Sequence, residues 1–243
     1  VLRTTIALIV VSVAAIAGVP ASEPATRKVS LYDDRVSLDL PLDWVEMTDF
    51  ELEDGSFGTA QATGGRLYEI YQHGFRSTSS EIDHGLPQIL VQIREIGRLP
   101  YGRFVHLPTI DDLKSDTRSS FPDGLPPLVM DVEVEAVAFD GSTFSIRLEH
   151  ALSLRFRGEV RVLTRAFLTE RGLVAFHYTD RERDIEGGRL FFDRLMASVA
   201  IDPEIAYRPR VTDRWPGLPF FAAAAVTAAL LVLYIGYRRR IAS

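Results

Sequence analysis

The sequence predicts an α+β fold: an antiparallel β-sheet built as a meander, covered by a middle helix and a C-terminal helix, and followed by a single transmembrane helix. Three observations predict it. Residues 131–156 alternate apolar and polar side chains on both sides of Asp140-Gly141, the pattern of a long antiparallel hairpin. Phe191, Leu195 and Val199 recur at helical spacing within 185–199. An uninterrupted apolar run, 218–237, ends against Arg238, Arg239 and Arg240.

The chain opens with a predicted signal peptide, 1–21. Arg3 is the only charge in the first 22 residues, 6–17 is a short apolar core, and Val19-Pro20-Ala21 supplies small residues for cleavage after Ala21. Left uncut, the same stretch is a second membrane anchor; both versions put 22–214 outside. Residues 22–27 are small and polar and read as a loose leader, with order beginning at Lys28.

Val29 and Leu31, then Val36, Leu38 and Leu40, alternate with polar residues across Asp33-Asp34, a short hairpin. Pro41 ends its second strand because proline cannot donate to a ladder. Glycines 55, 58, 64 and 65 mark a turn-rich stretch, after which strand-like alternation resumes at 67–71 and 89–96, with 73–87 between them as a loop. Thr109 before Asp111 and Asp112 is an N-cap with acid in the first turn, where it meets the positive end of the helix dipole. This predicts the middle helix, running to Ser120 and halted by Pro122.

In the hairpin, Val132, Val134, Ala136 and Ala138 share one face, and Phe144, Ile146, Leu148, Leu152, Leu154 and Phe156 share a face on the return. Strands 160–168 and 173–178, joined at Glu170-Arg171-Gly172, complete a four-strand meander with one face to cover. The helix of 185–199 is the expected cover, each large apolar side chain it buries contributing about 1.5–3 kcal/mol. Gly187-Gly188 weakens its first turn. Pro203 and Pro209 among charges make 202–214 a semi-extended linker.

About 20 apolar residues, at 1.5 Å each, match the roughly 30 Å hydrocarbon thickness of a bilayer, so 215–237 is the predicted membrane helix. Trp215 lies at one interface and Tyr237 at the other, and Arg238, Arg239 and Arg240 hold a cytoplasmic tail, 238–243. The exported domain is then 28–201, on the outer side of a single-pass protein of the cytoplasmic membrane. A C-terminal sorting signal has a similar shape, but the Leu-Pro-x-Thr-Gly motif is missing.

Formal charge is −6 overall, and −10 once Arg3 and the three tail arginines are set aside. Such a surface repels nucleic acid. Cysteine is absent, so an apolar core must hold the exported domain without disulfides. Lys28 and Lys114 are the only lysines and there is no asparagine, a bias of GC-rich bacterial codon usage.

The hairpin running into Pro41-x-x-Trp44, the meander after a middle helix, and the closing helix with Phe191, Phe192, Leu195 and Ser198 resemble the PsbP, Mog1 and DcrB group of α/β/α sandwiches over most of 28–200. Members of that group bind a photosystem subunit, bind a small GTPase, or are exported bacterial proteins, and none is defined by a catalytic motif. The resemblance therefore implies a binding domain with no active site to carry over. The membrane helix departs from the group's typical members, which are soluble or lipid-anchored.

No pattern of residues specifies a reaction or a cofactor. His73, His84, His106, His150 and His177 lack the spacing of common zinc sites. A cation site shared by His73, Asp83 and His84 is the nearest approach to one, and with a hydroxyl these residues are also the only basis for a hydrolase. His150 falls in register with Leu148 and Leu152 and reads as a core histidine. Ser142 belongs to a tight turn, which offers a nucleophile neither an elbow nor an oxyanion hole. Glu46, Asp49, Glu51, Glu53 and Asp54 form an acidic loop without calcium-loop spacing. That loop is also the basis for an alternative function, an exported immunity or inhibitor protein whose acidic surface mimics an anionic substrate. Arg147, Arg155, Arg157, Arg161 and Arg165 line the polar faces of adjacent strands, where Glu149 and Glu159 offer cross-strand partners. Unpaired, Arg147, Arg155, Arg161 and Arg165 would be a partner surface. The sequence thus points to a membrane-anchored, non-enzymatic binding or accessory protein of the bacterial envelope, its partners the bilayer and another envelope protein.

Overall fold

The computed structural model describes residues 25–53, 71–78, 86–105, 129–154 and 158–214. Among them no helix is long and apolar enough to cross a membrane. The expected signal peptide, middle helix, transmembrane segment and tail lie outside these residues, as do Arg155 and Arg157.

Alternating strands lead the chain into two antiparallel sheets. The smaller has β1 (Thr26–Leu31), β2 (Val36–Pro41) and β10 (Ala200–Ile201) in the order β1-β2-β10. The larger joins β3 (Trp44–Glu46), β4 (His73–Ser77), β5 (Gln88–Arg94), β6 (Val129–Asp140), β7 (Ser145–Leu154), β8 (Gly158–Leu168) and β9 (Leu173–Arg181) in the order β3-β4-β5-β9-β8-β7-β6. Four helices are described: α1 (49–53), α2 (Gly102–Val105), α3 (Ile185–Ala197) and α4 (Val211–Arg214). The meander β6 to β9 follows the sequence pattern closely. β4 does not, for 73–87 was expected as a loop. Its five residues hold one large apolar side chain, Phe75, and what makes them a strand is pairing with β3 and β5 on either side. Thr26 and Arg27, expected in a loose leader, pair with Pro41 and Leu40.

The core lies between the large sheet and a second layer formed by the small sheet and α3. Phe75, Ile89, Val91 and Phe176 from the large sheet meet Leu31, Leu38 and Leu40 from the small one and Phe192, Leu195 and Met196 from α3. Trp44 is 5% exposed, its ring stacked on Phe191 at 4.9 Å, so it is a core residue that ties β3 to the helix.

Two expectations about faces are corrected here. The ladder between β6 and β7 slips between Val134 and Ala136, so Val134 opposes His150 while Ala136 opposes Glu149. One extra residue turns everything after it to the other face, and Ala136 and Ala138 end up beside Glu149 and Arg147 rather than with Val134. The second concerns α3, expected over Ile146, Leu148 and Leu152. It lies over the opposite face of β7, bonding Arg147 through Asp193 and Glu149 through Arg189. His150, expected in the core, is half-buried.

The segment 202–214, expected as a semi-extended linker, is packed against the domain. Ile205 is buried in the core, Ala206 bridges Thr169, and the Glu170 amide donates to the Ile205 carbonyl at 2.9 Å.

Candidate functional site

A cavity of about 220 Å³ opens between α3 and the β6–β8 end of the large sheet. Its shape follows from the β6 bulge, which supplies small side chains, Ala136 and Ala138, where the helix stands off the sheet. Phe192 and Leu163 form the apolar part; Arg147, Glu149, Arg165, Arg189 and Asp193 bring the charge.

Each of these charges has an opposite partner. Arg147 donates to Asp193 at 2.7 Å, and Arg165 donates to Asp140 at 2.7 Å and to Ser145 Oγ at 2.8 Å. Arg189 grips Glu149 with both terminal nitrogens. Arg161 gathers three carboxylates, Glu135, Glu182 and, at 3.3 Å, Glu149. The Arg189 hydrogen bonds hold the Glu149 carboxyl below the usual carboxylate range against its burial. Burial raises Glu135, aided by repulsion from Glu149 and Glu182 and opposed by Arg161. The arrangement can receive a polar group of mixed charge.

Of the arginines predicted as a partner surface, Arg147, Arg161 and Arg165 come together on one face, each in an ion pair. Glu149, Arg189 and Asp193 join them from β7 and α3. No motif marks those three as site residues in the sequence, although Arg189 and Asp193 are four apart on one helix and so share a stripe.

His73 is on β4, its Nδ1 3.6 Å from Glu46, while Asp83, His84 and His106 lie outside the described residues. Among the described residues no three His, Asp or Glu side chains are placed to hold a metal ion. The acidic stretch after β3 is the start of α1: Glu51 accepts from the Thr48 amide at 2.7 Å while Thr48 Oγ1 accepts from the Glu51 amide, a capping box, and Glu51 also pairs with Arg76 at 3.0 Å. Ser142 donates through its amide and hydroxyl to Asp140, an Asx turn. His177 bonds Thr164 across the ladder at 3.0 Å.

A second charged cluster holds the end of the domain. Arg98 binds Asp213 in a two-pronged pair, each bond 2.5 Å, and reaches Glu170 at 3.0 Å and the Arg208 carbonyl at 2.7 Å. Tyr207 lies under the Arg98 guanidinium at 4.6 Å and donates to Asp213 at 3.1 Å; the Arg210 amide completes the cap at 2.7 Å. Asp213 is 2% exposed, and the Arg98 hydrogen bonds bring its pKa to about 2. Arg98 and Asp213 are 115 residues apart, so no local pattern announces the pair.

A scan against protein-family models finds no match, and comparison with curated proteins finds none. Among solved structures, the chain is similar to cyanobacterial PsbP (CyanoP) from Synechocystis, at 15% identity over 75% of this chain and 95% of that one, with a TM-score of 0.47. It is also similar to the Ran-binding protein Mog1p of Saccharomyces cerevisiae, at 8% identity over 74% and 98%, with a TM-score of 0.38.

Proposed function

We propose that this protein is a membrane-tethered, non-enzymatic binding or accessory domain of the bacterial cell envelope, exported by a signal peptide cleaved after Ala21 and anchored by the helix 215–237. The observation that carries this reading is the fixing of Asp213 to Arg98, two residues ahead of the apolar run that Trp215 opens. Fixing the chain there keeps the domain close to the proposed anchor, on a two-dimensional surface where weak contacts gain effective concentration.

The binding face in this reading is the cavity rim under α3, where Arg147 and Asp193, 49% and 45% exposed, offer both signs of charge to another envelope protein. The full chain should resist alkaline carbonate extraction from membranes, and a reporter fused after Ser243 should be active only in the cytoplasm. Recovery of the intact chain in the wash, or an active reporter outside, would refute the tether. Cross-linking from Asp193→Cys in intact envelopes should capture one stoichiometric protein, lost in Arg147→Glu; capture unchanged by that substitution would refute the rim.

A further inference from the structure

We infer that the end of the domain carrying Ile96, Val105 and Val211 lies against the lipid surface, so that the domain is docked on its own membrane rather than hanging from it; this rests on the tether proposed above. The register places one end of the large sheet: Asp140 pairs Ser145, Leu168 pairs Leu173, and Leu173 pairs Arg94. The turns that close these strands, the start of the loop after β5 and the segment 202–214 therefore gather at that end. Gly97 donates to the Arg171 carbonyl and Glu170 to that of Ile205, which stitches them together.

Three of the large apolar side chains left exposed belong to this corner. Ile96, two residues before Arg98, is 60% exposed; Val105 on α2 is 48% exposed and Val211 on α4 is 79% exposed. The helices α2 and α4 touch one another, and Tyr101, just ahead of α2, donates its amide to Tyr207 in the segment that leads into α4.

Chain length decides what covers them. Only Arg214 separates the clamped Asp213 from Trp215, so Trp215 lies two residues on, a reach of about 7 Å when fully extended. The headgroup layer on each side of the hydrocarbon is roughly 5–7 Å deep. With Trp215 at the interface, the clamp therefore stands within a headgroup's depth of the bilayer, and side chains reaching outward from this corner meet lipid. Apolar side chains at that depth gain by leaving water.

The absence of cysteine makes the test direct. Ile96→Cys, Val105→Cys, Val211→Cys and Met130→Cys, each in the full chain, would carry an environment-sensitive dye and be reconstituted into phosphatidylcholine vesicles with and without spin-labelled lipid. Met130 is 60% exposed near the other end of β6, about 30 Å away at the usual rise per residue, and serves as the reference. Dyes at 96, 105 and 211 should shift to the blue and lose roughly half their emission to the spin label, while the dye at 130 behaves as in water. Chains that float with the vesicles yet report water at all four positions would overturn the docking and leave the tether standing. Chains that do not float would overturn both.

Discussion

Asp213 and Arg98 meet through two parallel hydrogen bonds of 2.5 Å, joining a four-residue helix at the end of the domain to the loop that follows β5. Only 3% of the Asp213 side chain and 15% of that of Arg98 reach solvent. Removing Asp213 leaves Arg98 with Glu170 alone and takes the acceptor from the Tyr207 hydroxyl and the Arg210 amide. Asp213→Ala should cost roughly 3–5 kcal/mol in urea unfolding, and limited proteolysis should then cut within 202–214. Unchanged unfolding and an uncut segment would show that the pair is dispensable.

The same carboxylate sets a pH dependence whose sign is fixed. Its folded pKa of about 2 lies below its ordinary value of 3.8, so it contributes stability above the ordinary value and loses it as pH falls toward 2. The contribution is about 2 kcal/mol. Unfolding midpoints should drop between about pH 4 and pH 2, and Asp213→Asn should flatten that part of the curve. An equal drop in the variant would assign the acid sensitivity elsewhere.

Asp180 should act in the opposite direction. It is 6% exposed, and burial raises its carboxyl although Tyr178 and the Arg181 amide donate to it at 2.6 and 2.8 Å. A raised folded pKa means that the group's contribution is full below the ordinary carboxylate value and lost as pH climbs through the folded one. Asp180→Asn should therefore gain stability relative to the parent on going from acid to neutral pH. A constant difference across that range would contradict the assignment.

The two glycines of α3 should part company. A Cβ on Gly188 would lie 2.4 Å from the Tyr178 hydroxyl and 2.6 Å from its ring, whereas one on Gly187 would meet nothing within 4 Å. Gly187→Ala should stabilise the domain by about 0.5–1 kcal/mol through helix propensity. Gly188→Ala must push the helix off the sheet and should destabilise by about 1–3 kcal/mol. Thermal unfolding of the two variants side by side checks this, and the same sign in both would be incompatible with the packing.

Trp44→Ala should cost about 3–5 kcal/mol, since it removes a ring that fills the space between β3 and Phe191. A loss under about 1 kcal/mol would mean that the stack carries little of the core's stability.

Much of the fold was legible because strand alternation is a local property. The meander from β6 to β9 and the helix after it could be placed from side-chain periodicity, and the turn at Asp140 from its Asx chemistry. β4 was not legible, since His73 to Ser77 become a strand only by lying between two others. Ala136 and Ala138 were assigned to the wrong face because nothing in the composition of β6 marks Glu135 as an extra residue in the ladder. Of the cavity, the arginines of β7 and β8 were visible beforehand. Their partners Glu135, Glu182 and Asp193 arrive from β6, the turn at 182–184 and α3, and Arg189 comes from α3 to pair with Glu149, so these were not.

By itself the sequence determined the order and type of most elements, the lack of disulfides, and an apolar run beginning at Trp215, since each depends on residues close together in the chain. Tertiary structure alone decided which face α3 covers, that Arg147, Arg161 and Arg165 are neutralised, and that 202–214 is bolted down instead of trailing. Those outcomes turn on pairs such as Arg189 with Glu149 and Arg98 with Asp213, 40 and 115 residues apart. A contact across such separation leaves no periodicity in the chain, because its strength depends on burial and geometry that exist only once the layers have packed.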